Sequence, residues 1–186
     1  MRIGLISDTH IPSMGKEPPP QVARAFQGVD LILHAGDIYI HSCIEWLERI
    51  APVRASDSWL ADTREGATRS NDVQVVEAEG HSIGLVHGLF LPGVDDELLP
   101  GTMAKSFPAG ASLPMALRNI FGKTVDIVVF GYTHEALVEL HQGVLMVNPG
   151  SPTMIKQSPR LGTVAILELT ATGRDARIID LAGLAG

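Results

Sequence analysis

Apolar positions near the N-terminus switch between two spacings. Residues 2–7 form a short, continuous run rich in Ile and Leu, the mark of a buried strand. Pro12 and Pro18-Pro19-Pro20 mark a loop. Val22, Phe26 and Val29 then recur at helical spacing and predict a helix over about residues 20–28. Residues 30–33 read as a second strand. Cys43, Ile44, Trp46, Leu47 and Ile50 predict a second amphipathic helix, closed by Pro52, and residues 52–55 a short third strand. The order β-α-β-α-β implies parallel strands with helical crossovers.

Residues 57–71 are polar and loop-like, and after them the pattern changes. Residues 73–78 and 82–86 predict a hairpin turning at Glu79-Gly80. Residues 89–111 are rich in Gly and Pro and read as a long excursion, of the kind that serves as a lid or contact loop. Ser112 is placed to cap a helix bearing Leu113, Leu117, Ile120 and Phe121. Residues 126–130, 136–140, 144–147, 162–169 and 174–181 are strand-like. A helix-linked sheet region and a hairpin-rich one therefore coexist. Two sheets packed face to face, with helices outside, would bury both. No repeat or linker divides the chain, which predicts one domain over 1–186.

Composition narrows the function classes. Hydrophobic residues make up 45% and charged residues 19%, an ordinary globular balance. The formal net charge of −7 argues against general affinity for nucleic acid or anionic lipid, which needs a basic surface. A small phosphorylated substrate drawn to a local metal ion remains open. Cys43 is the only cysteine, so no internal disulfide forms, and a cytoplasmic setting is the default expectation. Neither a signal peptide nor a membrane span is expected. Oligomeric state is open, with a homo-oligomer among the options.

Several apolar runs stop at residues that hold metals. Asp8 and His10 follow the first strand at a two-residue spacing, which in extended chain turns both to one side. One oxygen and one nitrogen aimed at a single point is a metal-ligand arrangement. Asp37, His87 and His134 follow later strands, and sites in open α/β sheets gather where strands end. Carboxylate with neutral imidazole suits Mn, Fe, Zn, Co or Ni. An Asp between two ions bridges them, and paired ions hold a hydroxide nucleophile and neutralise a phosphoryl group during in-line displacement.

The series Ser7-Asp8-Thr9-His10, His34-Ala35-Gly36-Asp37, Val86-His87-Gly88, Gly131-Tyr132-Thr133-His134 and Asn148-Pro149-Gly150-Ser151 resembles the calcineurin-like metallophosphoesterase superfamily. It is most similar to the small bacterial and archaeal phosphodiesterase branch, whose structural family includes the retromer subunit VPS29. The resemblance implies a four-layer α/β/β/α sandwich of two facing mixed sheets and a two-metal phosphoesterase centre. Carried over residue by residue, Asp8, His10, Asp37 and His134 match one metal position, with Asp37 the bridge, and His87 matches a ligand of the second. The chain departs from the family pattern in two places. Ser56 stands where an Asn ligand belongs, and Tyr132 where the first His of Gly-His-x-His belongs. A neutral hydroxyl binds a divalent ion weakly, and a phenol must lose a proton near pH 10 to bind well. One tightly held ion and a second that is weak or absent are therefore expected. Asp57 has three readings: a compensating ligand, a general acid, or a solvated loop residue.

Plain structural readings stand beside these. Asp8 and His10 could cap a turn, Asp37 could form an Asx turn, and His87 or His134 could be hydrogen-bonded core histidines. Tyr132 reads first as a packed ring. Asn148-Pro149-Gly150 is first a turn. His34, His41, His81 and His141 have no motif support and read as structural or exposed. Asp95-Asp96-Glu97 reads as a solvated loop, or as an acidic lid that disfavours anionic substrates. Two functions compete. One is a metal-dependent phosphoesterase hydrolysing phosphodiester or phosphomonoester bonds through metal-activated water, with Asp37, Asp57 and His87 its catalytic candidates. The other is a weak or inactive binding or scaffold protein on the same fold. The four spared ligands of the first position favour the enzyme.

Overall fold

A computed structural model of the chain describes residues 1–56 and 73–184. In chain order the first elements are β1 (Arg2–Ile6), α1 (Pro20–Ala25), β2 (Leu31–His34), α2 (His41–Glu48) and β3 (Val53–Ala55). Next come β4 (Val73–Ala78), β5 (His81–Val86), α3 (Thr102–Ser106), α4 (Leu113–Phe121) and β6 (Ile127–Val129). The chain ends with β7 (Leu137–His141), β8 (Val144–Asn148), β9 (Met154–Ile155), β10 (Ser158–Pro159), β11 (Thr163–Thr170), β12 (Gly173–Asp180) and a 3-10 turn, Leu181–Leu184.

Two five-stranded mixed sheets result, ordered β12-β11-β1-β2-β3 and β4-β5-β6-β8-β7. In the first, β1, β2 and β3 are parallel and β11 lies antiparallel to β1. In the second, β5, β6 and β8 are parallel, and β4 and β7 close its edges antiparallel. The pleat divides each strand between two cores. Ile3, Leu5 and Leu33 face Ile83, Leu85, Ile127 and Val147 in the layer between the sheets. Ile6 and Ile32 turn outward to α1 and α2, and Val128 and Met146 turn outward to α4. The layers are thus α/β/β/α. Burying an Ile or Leu contributes about 2 kcal/mol, so packing rather than propensity holds helices as short as α1 and α2.

The same three residues occupy a central strand of each sheet, Ile3-Gly4-Leu5 and Ile83-Gly84-Leu85. The Phe26 ring lies on Gly4 and the Phe121 ring on Gly84, each where a Cβ would come within 2.9 Å. Missing side chains on the strands therefore let each helical layer approach.

Some expected elements differ. α1 stops at Ala25, because Phe26 leaves helical geometry and Gly28, at φ 73°, turns the chain into β2. The excursion 89–111 contains α3, anchored by the single buried Met103. β9 and β10 form a small hairpin that the apolar pattern did not mark. Ser112 caps α4 as expected, accepting from the Met115 N–H at 3.3 Å. The polar stretch 57–71, with Asp57, lies outside the described residues. Among the described residues no helix is long and apolar enough to cross a membrane.

Candidate metal centre

Asp8 and His10 follow β1, Asp37 follows β2, His87 follows β5 and His134 follows β6. All of these strands run parallel to a neighbour, so their C-terminal ends gather the five side chains at one edge of the sandwich. Asp8, His10, Asp37 and His134 each offer one atom within 4.8 Å of the others, a group that could hold a metal ion. His87 joins from the other side of Asp37, its Nε2 3.6 Å from Oδ1, while His10 Nδ1 lies 3.7 Å from Oδ2. Asp37 therefore stands between the four-residue group and His87.

The local geometry corrects the two-residue argument made from sequence. Asp8 and His10 are not in extended chain: their φ values are 53° and 51°, in the left-handed region. Asp37 (55°) and His134 (59°) share it. Tertiary hydrogen bonds impose this backbone. Asp8 N–H donates to Gly36 O and His10 N–H to Asp37 O, each at 2.9 Å. Ser151 Oγ donates to Asp8 O at 2.7 Å, and Thr153 Oγ1 to Thr9 O at 3.2 Å. The Asn148–Ser151 turn and the residues after it thus brace the first loop. Two glycines permit the approach. A Cβ on Gly36 would lie 2.5 Å from His87 Nδ1, and one on Gly131 would lie 2.6 Å from Asp8 Oδ2.

The donors suit a divalent cation. His10 Nε2 and His134 Nε2 face each other at 3.0 Å, and His134 Nε2 is 3.4 Å from Asp8 Oδ1. Two imidazole nitrogens this close need a proton or a cation between them. Hydrogen bonding to Asp8 raises the His134 pKa despite burial, which favours the protonated ring when no cation is present. Burial lowers the His10 pKa, against the opposing carboxylates of Asp37 and Asp8, and favours the neutral, coordinating form. Two of the outer nitrogens are also engaged, while His134 Nδ1 is buried with no hydrogen-bond partner among the described residues. His87 Nδ1 donates to Ala35 O at 2.7 Å, leaving the Nε2 lone pair free on the side that faces Asp37, 3.6 Å away. His10 Nδ1 meets the Tyr39 hydroxyl at 2.7 Å.

His34 was read as merely structural or exposed. It is fully buried, and burial pushes its pKa down to about 3. Its Nδ1 accepts from Gly36 N–H at 3.2 Å. That leaves the hydrogen on Nε2, which points to Thr9 Oγ1 at 3.2 Å, and Thr9 in turn donates to Asp37 O at 3.3 Å. A neutral imidazole therefore ties both ligand loops together. Tyr39 was not singled out from sequence; its spacing of two from Asp37 was the available signal. His81 links the sheets through Thr170 O at 3.0 Å, His141 packs on Phe107, and His41 is exposed.

The altered positions differ in place. Ser56 is fully buried just past β3, its N–H donating to His34 O at 2.8 Å. Tyr132 N–H donates to the Asp8 carboxylate, at 3.1 Å to Oδ2, while its ring lies half-exposed against His87 and Phe90. Asp57, as a ligand or general acid, lies outside the described residues.

Two facing mixed sheets, with carboxylates and imidazoles converging where parallel strands end, define a class of metal-dependent phosphoesterases. The chain belongs to the calcineurin-like phosphoesterase superfamily, whose sequence profile matches residues 1–172. A probable metallophosphoesterase of Methanothermobacter thermautotrophicus is 33% identical over 181 residues, covering 96% of this chain and 92% of the relative. Among solved structures, an archaeal phosphodiesterase superposes with a TM-score of 0.61 at 21% identity, covering 96% of this chain and all of its own. Wild-type Vps29 of Entamoeba histolytica, complexed with Zn²⁺, superposes with a TM-score of 0.61 at 20% identity, covering 97% and 99%. These likenesses at low identity carry the fold.

Proposed function

We propose that the chain hydrolyses phosphodiesters at the edge where β1, β2, β5 and β6 end, holding one divalent transition metal at Asp8, His10, Asp37 and His134. The observation that carries the reading is the convergence of those four donors within 4.8 Å. When bound, the cation supplies Lewis acidity and lowers the pKa of water. The chain does the rest. Asp37 faces both His10 and His87, so it holds the first ion and offers an oxygen to a second, weaker one. His87 is held by Ala35 O with the Nε2 lone pair open, placed to coordinate that second ion. Water adds to phosphorus, the bond to one ester oxygen breaks, and that oxygen leaves with a proton derived from the water. The products are a phosphomonoester and an alcohol.

The archaeal phosphodiesterase likeness and the acidic residues Asp95, Asp96 and Glu97 beside the site favour a diester over a more highly charged monoester. Elemental analysis of the purified chain, paired with hydrolysis of bis(para-nitrophenyl) phosphate, tests the reading. One equivalent of retained metal and turnover that rises with millimolar Mn²⁺ are expected. A chain that retains no divalent ion and hydrolyses neither diester nor monoester would instead be a binding protein on this fold.

A further inference from the structure

A cleft of about 130 Å³ opens beside the centre, lined among others by Phe90, Leu91, Val94, Phe130 and Tyr132. Two of its aromatic rings are poorly covered: Phe90 is 71% exposed and Tyr132 48%. Single exposed apolar residues need no explanation, but these two touch, with ring centroids 5.7 Å apart and edge to face. The Tyr132 ring in turn meets the His87 ring at 5.8 Å. Phe90 is also placed by the backbone, its ring lying over Gly88, where a Cβ would come within 2.7 Å. A short ladder of rings therefore leads from His87 into the cleft. The lining also includes Asp95, Asp96 and Glu97.

We propose that this cleft receives one ester arm of the substrate, and that the arm is a planar, uncharged ring seated on Phe90 and Tyr132. The proposal rests on the phosphodiester reading and adds the substrate class. Stacking on aromatic faces accepts any planar ring, whether aryl or nucleobase. The three carboxylates repel a second phosphate or carboxylate on the same arm. Tyr132 ties the ring seat to the chemistry, because its own N–H holds the Asp8 carboxylate.

The test uses three diesters with the same ring-free hexafluoroisopropyl leaving group and a methyl, phenyl or thymidine 5′ second arm. The Mn²⁺-loaded chain should hydrolyse at least one planar-arm ester with a kcat/KM about tenfold above the methyl ester. Phe90→Ala should erase that advantage, lowering kcat/KM for the planar-arm esters about tenfold more than for the methyl ester. An advantage for phenyl alone assigns an aryl ring, and one for thymidine alone a nucleobase; either supports the seat. Absence of a planar advantage, or its survival in Phe90→Ala, overturns it. Should no ester be hydrolysed, the phosphodiester reading fails, and saturation-transfer NMR with thymidine and phenol decides the ring seat separately. Ring contact that disappears in Phe90→Ala supports it, and no Phe90-dependent contact overturns it.

Discussion

On one side of Asp37 the proposed ligands are enclosed. Asp8, His10 and His134 are buried, and each is held by a second group: Asp8 by Tyr132 N–H, His10 by Tyr39, His134 by Asp8. On the other side stands His87, with a side chain 27% exposed, beside the half-exposed Tyr132 ring. Desolvation strengthens the attraction between a carboxylate and a cation, and fixed outer partners remove the cost of orienting each ligand. The enclosed side has more of the first advantage, whereas His87 on the open side keeps the second through Ala35 O. Under the proposed ligand assignment the two positions are decoupled: one can be kept while the other drifts, because Asp37 alone belongs to both.

The comparison breaks most completely at that shared residue. Asp37→Asn should strip metal by elemental analysis and lower turnover by more than about a hundredfold, since even outer partners cost ten- to a hundredfold. Removing only an outer partner from the enclosed side is gentler. Tyr39→Phe should weaken metal affinity about tenfold in a chelator competition, leaving the folded circular dichroism spectrum intact. Repairing the open side should sharpen the contrast from the other direction. Ser56→Asn with Tyr132→His should bring a second equivalent of Mn²⁺ into the purified protein and raise turnover about tenfold. If the double variant folds yet gains neither, the ligand assignment on that side is wrong. Tyr132 has φ 76°, a backbone region that His tolerates better than Tyr, so folding should not suffer.

The smallest effect concerns stability of the metal-free protein. His34 stays neutral in the folded state down to about pH 3, whereas the unfolded chain protonates it near 6.5. Between those values the unfolded state binds the extra proton, so stability falls as pH drops below 6.5 by up to about 1.4 kcal/mol per pH unit. Urea titrations at several pH values should show that slope, reduced in His34→Gln. An unchanged slope in the variant would remove His34 from the enclosed side's support.

The apolar pattern made the layers legible, because each strand alternates or is continuous according to whether one or both faces are covered. The proposed ligands were legible for the same reason: Asp8, Asp37, His87 and His134 stand just after apolar runs stop. The way Asp8 and His10 converge was not. A period-two argument assumes extended chain, and bonds to Gly36 and Asp37, distant in sequence, impose a left-handed turn instead. Tyr39 and the bracing role of Ser151 were hidden for the same cause. Both act through contacts across the fold, and no local spacing encodes them. α3 was missed because five residues with one buried side chain leave no periodicity to read.

The left-handed backbone at Asp8, His10, Asp37 and His134 has a consequence for how this centre can change over evolutionary time. Among residues other than glycine, Asn, Asp and His are several-fold enriched in that region. Glu and Cys are equally able metal ligands, but at these positions each would carry a backbone penalty of about 1–2 kcal/mol as well as a new reach. The alphabet open to all four positions is therefore close to the one already in use. Metal preference at such a centre would be tuned from outer residues such as His34, which lies in β2 and is free of that backbone constraint.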